Sequence, residues 1–135
     1  LHEKLLFSRT LKLKELDLDT GVVKELATLK TVVYSLAYDV KERYVYVPRY
    51  YESVIHRFPY PNDQTVNFET VVSTQIPYHV AFDSENSHLY WTGYLSRKIM
   101  RCNSDGSSLT VIVVASSIPM ALTLDTINRA RNECG

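Results

Sequence analysis

HLYWTGYL (residues 88–95) carries the single tryptophan of the chain, in a run whose order no simple amphipathic pattern demands. Outward from it, three segments end alike: TVVYSLAYD (31–39), QIPYHVAFD (75–83) and SIPMALTLD (117–125). Each closes on an aspartate, and the steps from Asp39 to Asp83 and from Asp83 to Asp125 are 44 and 42 residues. Pro77 and Pro119 stand six residues before their aspartates, and Val33 takes that place in the first copy. A period in this range means stacked units, each unable to bury its apolar face alone.

The interior of each unit reads as short strands. RYVYVPR (43–49) and HLYWTGY (88–94) follow the aspartate after a polar turn. SVIHRF (53–58) and RKIMRC (97–102) come next, then PYPND (59–63) and NSDGS (103–107) as turns. TVNFETVV (65–72) and LTVIVVA (109–115) are β-branched runs. That makes four strands per unit, A to D, the length and content of a β-propeller blade. The first unit starts part-way, with LLFSR (5–9), LKELDL (13–18), the turn DTG (19–21) and VVKELAT (22–28). Leu11, Leu13, Leu16 and Leu18 alternate with period two and fit no helical stripe. Only TINRARNECG (126–135) is compatible with a helix or a loose tail. The reading is therefore all-β, with blade units at about 4–39, 40–83 and 84–125 and a C-terminal tail at 126–135.

Composition narrows the function. Fifteen Lys and Arg balance fifteen Asp and Glu, so the formal net charge is zero. A general nucleic-acid or anionic-membrane surface needs a basic excess, so neither partner is expected. No apolar run approaches a membrane span, so no insertion is expected. The N-terminus has neither signal-peptide form nor an initiator Met and reads as a processed protein or an excised domain. Ten tyrosines suit strands and protein contact surfaces. Cys102 and Cys134 have no zinc-type spacing; two free thiols, or one disulfide within or between chains, all remain open.

The stretch LYWTG (89–93), followed by RKIMRCNSDGSS (97–108) and preceded by IPYHVAFDSENSH (76–88), resembles the YWTD repeat, or low-density-lipoprotein-receptor class B repeat. Pro77, Ala81, Asp83, Tyr90, Trp91, Thr92, Ile99, Arg101, Asp105 and Gly106 match that pattern. In the second copy Tyr46, Ile55 and Arg57 match, while Val47, Pro48 and Arg49 replace Trp-Thr-Asp. Gly93 stands where the family's motif has its aspartate, a residue that in the family helps tie blades together. The resemblance covers about residues 4 to 125 and implies architectural roles for Asp39, Tyr46, Asp83, Tyr90, Trp91, Thr92, Arg101, Asp105, Gly106 and Asp125. It also implies an extracellular setting, a secreted protein or a receptor ectodomain.

Propellers of this family have six blades, and this chain supplies three, in the order B-C-D, A-B-C-D, A-B-C-D, A. Two chains would close a ring as a two-fold homodimer, the terminal ALTLD strand (121–125) completing the blade that LLFSR begins in the other chain. The competing expectation is a piece of a longer receptor, with NECG (132–135) opening a Cys-rich module.

Signs of catalysis are sparse. His2, His56, His79 and His88 show no metal-binding spacing, no GxSxG occurs, and four glycines make no phosphate loop. Asp17, Asp19 and Thr20 beside Gly21 have some look of a calcium loop, but the spacing is wrong for an EF-hand and a plain turn is expected. No cofactor or metal is expected. The B–C and D–A connections should share one face, bringing Arg49, Tyr50, Tyr51, Glu52, Tyr78, His79, Tyr94, Arg97 and Met120 to one side as a protein- or peptide-binding surface. The expected function is thus non-enzymatic binding or scaffolding. The alternatives are a structural matrix building block and, more remotely, a propeller hydrolase or lactonase.

Overall fold

The computed structural model of the protein describes residues 3–125. Among these it contains only strands, turns and irregular connections. Eleven strands form three antiparallel sheets. The first holds β1 (Lys4–Arg9), β2 (Lys12–Asp17) and β3 (Val23–Thr28), in that order. The second holds β4 (Ala37–Asp39), β5 (Tyr44–Arg49), β6 (Val54–Pro59) and β7 (Glu69–Ser73). The third holds β8 (Pro77–Asp83), β9 (His88–Gly93), β10 (Lys98–Asn103) and β11 (Thr110–Val114). Each aspartate-ended strand pairs with the strand that follows it, so sheet boundaries fall one strand before the sequence units' boundaries.

The aspartates that mark the repeat end the inner strands for a local reason. Asp39 accepts the N–H of Lys41 at 3.0 Å, and Asp83 accepts those of Glu85 at 3.0 Å and Asn86 at 3.4 Å. A carboxylate at this point satisfies turn amides that have no ladder partner. Asp105 does the same for Ser107 at 3.0 Å, ahead of Gly106 with φ +90°. In the first sheet Asp17 takes the N–H groups of Asp19 and Thr20, which closes the turn between β2 and β3. A β-bulge recurs at one place in every sheet, after Leu13, Ile55 and Ile99, and sets a common twist.

Period-two alternation builds the core. In β5, Val45 and Val47 face the first sheet, where they join Leu13, Leu29, Val33 and Phe58. Tyr44 and Tyr46 face the third sheet, where Tyr46 joins Ile55, Val80, Leu89, Trp91 and Cys102. The middle sheet is therefore covered on both faces, and Val45, Tyr46 and Val47 are each 0% exposed.

Three expected strands differ. The 31–36 stretch is irregular, because its backbone is held elsewhere: Ser8 Oγ donates to the Val33 carbonyl at 3.0 Å and Val33 is buried in the first core. Residues 65–68 are not strand; Val66 and Phe68 turn into the first core, and pairing starts at Glu69. ALTLD (121–125) has no ladder among the described residues, and it is held beside β8 by the Leu122 N–H on His79 Nδ1 at 3.4 Å. The expected tail, with Cys134, lies outside the described residues.

Candidate functional site

The B–C loops (50–53 and 94–97) and the D–A connections (29–36 and 74–76) come together at one end of the sheets. Thr74 N–H bonds the Ser53 carbonyl at 3.0 Å and Tyr94 N–H the Ile76 carbonyl at 3.0 Å, which locks loop to connection. Half of the ten tyrosines gather there. Tyr34, Tyr50, Tyr51, Tyr78 and Tyr94 form one contiguous layer of rings. Tyr50 lies 4.8 Å from Tyr51, 5.7 Å from Tyr94 and 5.5 Å from Tyr34; Tyr78 lies 5.2 Å from Tyr34 and 5.3 Å from Tyr94. These are tilted and edge-to-face contacts, the favoured aromatic geometry.

Repetition explains the layer. Tyr34 and Tyr78 are one repeat apart, and so are Tyr50 and Tyr94. Two equivalent pairs are thus set side by side, with Tyr51 added and Met120 at the next Tyr78 position. Tyr34 and Tyr51 join their hydroxyls at 3.0 Å, and that bond pushes the Tyr34 phenol up to about 12. Burial raises Tyr50 as well. Both therefore act as neutral hydrogen-bonding groups at neutral pH.

The other expected site residues fall around and beneath the rings. Tyr51 is 59% exposed and Met120 50%, with Leu95 beside Tyr94 in sequence at 65%. Arg97 is exposed and donates to the Ser116 carbonyl at 3.3 Å. His79 is half-buried; its ring lies 6.5 Å from Tyr78 and its Nδ1 accepts from Leu122. Arg49 differs from expectation. It is buried, with its guanidinium held by Thr31 Oγ1 at 3.2 Å and Glu52 Oε1 at 3.3 Å, so it supports the surface and is not part of it. Glu52 also accepts from Thr31 at 2.6 Å, so its carboxylate serves the same support. Tyr34 and Thr31 escaped sequence reasoning, although the 44-residue step from Tyr34 to Tyr78 was the available signal.

The architectural residues divide between the sheets. Trp91 is fully buried and its Nε1–H donates to Thr74 Oγ1 at 3.1 Å; Thr92 is buried and accepts the His79 N–H at 3.2 Å. Arg49, at the motif's aspartate position, ties Thr31, and Trp91 ties Thr74, so both connections are fastened without that aspartate. Tyr46 stacks on Phe82 at 4.6 Å, and Arg57 donates to the Ser104 carbonyl at 2.9 Å, with its guanidinium 4.0 Å above the Tyr44 ring. Tyr90 and Arg101, the equivalents of Tyr46 and Arg57 one sheet on, stand opposite each other and half-buried. Asp125 closes the described residues and is exposed. Cys102 is buried, and burial pushes its thiol up to about 11. No group of three or more metal-ligating side chains occurs among the described residues, and no helix there is long and apolar enough to cross a membrane.

Sequence comparison finds no matching family model and no matching curated protein. Solved structures do match. A chain of the nidogen/laminin complex superposes with a TM-score of 0.82 at 22% identity, over 93% of this chain and 50% of that one. A gluconolactonase from Xanthomonas campestris gives 0.72 at 18% identity, over 85% of this chain and 38% of that one. The hydrazine synthase of Kuenenia stuttgartiensis gives 0.68 at 13%, over 87% and 34%. The chain thus spans half or less of each of these three structures. At these identities the similarity shows the fold, which is that of the β-propeller, with three blade-like sheets.

Proposed function

We propose that the chain is a non-enzymatic, extracellular protein-binding module of YWTD propeller type, and that the tyrosine layer is its contact surface. The observation that carries this reading is the continuity of five tyrosine rings on connections that Arg49 and Trp91 fasten through Thr31 and Thr74, with Leu95 and Met120 exposed in the same group of loops. Tyrosine has few rotatable bonds, so a pre-packed layer loses little entropy on binding and keeps a polar tip for each ring. The matched chain in the nidogen/laminin complex belongs, by that name, to a protein–protein assembly, which supports the same reading. A panel of secreted proteins that includes laminin tests it. The double variant Tyr50→Ala/Tyr94→Ala should weaken every interaction made by the unmodified chain at least about tenfold. Absence of any binder, or binding untouched by the variant, would sink the proposal.

Self-assembly is part of the reading. The outer sheets carry apolar side chains that the inner ones cover. Val71 and Val72 of β7 pack into the second core, while Ile112 and Val113, their equivalents in β11, are 44% and 43% exposed. On the first sheet Leu5, Leu18, Val22 and Val23 are exposed. Two copies joined end to end would cover both faces twice and make six blades under two-fold symmetry. Light scattering on a size-exclusion column measures this directly: the reading requires twice the chain mass, and a well-behaved monomer rejects it.

A further inference from the structure

The gaps between the sheets are built from equivalent positions but are filled differently. Between the second and third sheets, Tyr46 lies flat on Phe82, at 4.6 Å and 11°, and its hydroxyl sits 3.4 Å from both the Ser104 carbonyl and Arg57. Between the first and second sheets, the pair Leu6–Glu15 stands where Tyr46–Arg57 stands in the next sheet, each pair just past the recurring bulge. Tyr38 takes the place of Phe82, opposite Val45 as Phe82 is opposite Leu89. Leucine is smaller than tyrosine by a ring edge and a hydroxyl. A cavity of about 660 Å³ opens beside Leu6, lined also by Glu15, Tyr38, Val45 and Tyr60, with charged residues including Arg43 and Asp63 in its wall.

We propose that this cavity binds a small phenol, which supplies from solution the group that Tyr46 supplies in the neighbouring gap. The walls suit that class. Leu6 and Val45 give an apolar floor, and Tyr38 a ring to stack against; its hydroxyl is held on the Tyr60 carbonyl at 2.8 Å, which fixes its plane. The polar end is an acceptor. Glu15 takes the Tyr60 hydroxyl on Oε1 at 2.8 Å and Lys4 on Oε2 at 3.3 Å, which leaves lone pairs for another donor. A phenol O–H donates to such a carboxylate, whereas a plain arene leaves that end unmatched. The volume lies within the usual range of small-ligand sites, roughly 300–1,000 Å³, and accepts a ring with a substituent. The proposal is independent of the tyrosine layer, which lies at the other end of the sheets.

The probe is p-cresol, the tyrosine side chain itself, followed by titration calorimetry and by NMR on the whole chain. Saturable binding is expected, with cross-relaxation between cresol protons and the Leu6 methyls. Toluene should bind at least about tenfold more weakly, since it lacks the donor. Leu6→Tyr fills the gap from within; it should raise the unfolding midpoint and reduce cresol affinity at least about tenfold. Tyr50→Ala/Tyr94→Ala should leave cresol binding unchanged, which separates this site from the protein-contact surface. No saturable binding, no contact with Leu6, equal affinity for toluene, or unchanged affinity in a folded Leu6→Tyr chain would each overturn the proposal. Should Leu6→Tyr not fold, the Leu6 contacts and the toluene comparison in the unmodified chain decide alone.

Discussion

The backbone N–H of Val80 donates to the hydroxyl of Ser35 at 3.1 Å, across the joint between the second and third sheets. One repeat further on, the N–H of Leu122 meets Nδ1 of His79, and His79 is the equivalent of Ser35. The same rung is made twice with different chemistry. It is an inter-sheet bond from an inner-strand amide to the side chain one position earlier in the preceding copy. Ser35→Ala leaves a buried N–H without an acceptor and should cost about 1–3 kcal/mol. His79→Ala should cost less, because Leu122 is only half-buried and water can replace the imidazole. Urea unfolding curves of the two variants give both values; a larger loss for His79→Ala would reverse the argument.

Much of this architecture is legible in the sequence, for a physical reason. The aspartates recur because each inner strand ends in a turn whose amides need an acceptor, and Asp39 and Asp83 supply it. Tyr46 and Tyr90 recur at one register position, and Tyr46 packs with Trp91 in the gap between the second and third sheets. What alternation does not reveal is which side chain a connection will rest upon. Arg49 reads as a surface cation, yet it is drawn under the connection by Thr31 and Glu52. Tyr34 sits in a stretch with no strand period, and only its spacing from Tyr78 marks it as part of the ring layer. ALTLD has the composition of a strand, but a ladder needs a second strand, and none pairs with it among the described residues. The cavity beside Leu6 lies between two sheets, and nothing in the alternation of either strand announces it.

Acid should act on the end of β2, the middle strand of the first sheet. Burial works to raise the Asp17 carboxyl, but the hydrogen bonds from Lys4 at 3.1 Å and from the Thr20 and Asp19 amides outweigh it and hold Asp17 at about 2. A carboxyl whose pKa is depressed on folding contributes stability that is full above its unfolded value, near 4, and is lost as pH falls through the folded value. Stability should therefore decline between about pH 4 and pH 2, and Asp17→Asn should flatten that decline. Chemical denaturation of both chains across this window checks it; parallel pH profiles would remove Asp17 from the account.

Cys102 should be chemically silent in the native protein. Its sulfur is enclosed with Trp91, Leu89 and Ile55, and burial pushes the thiol up to about 11, so little thiolate exists at neutral or mildly alkaline pH. A thiol reagent at pH 8 should modify Cys102 only as fast as the chain opens, and rapidly in denaturant, with peptide mapping to distinguish it from Cys134. Prompt native-state modification of Cys102 would mean that the joint between the second and third sheets opens far more readily than its packing implies.

Gly21 and Gly106 close equivalent turns, each donating its N–H back across the turn, to Asp17 at 2.8 Å and Asn103 at 2.9 Å. Both have positive φ, +73° and +90°, so alanine is strained at either place, by about 1–2 kcal/mol. Their surroundings differ. A Cβ on Gly106 would sit 1.9 Å from the Val71 carbonyl oxygen of β7, while a Cβ on Gly21 would have nothing within 4 Å. Relieving the first clash means moving a backbone carbonyl, which separates the second sheet from the third. Gly106→Ala should therefore lose several kcal/mol more than Gly21→Ala, or not fold at all, when the two are compared by thermal and urea unfolding. The pair also bears on self-assembly. In a closed two-fold ring, Gly21 would meet the β11 strand of a second copy as Gly106 meets β7. Gly21→Ala should then weaken dimers while leaving the dilute monomer nearly as stable as its backbone strain allows. A Gly21→Ala chain that dimerises as well as the original would show that this turn does not sit against a second copy.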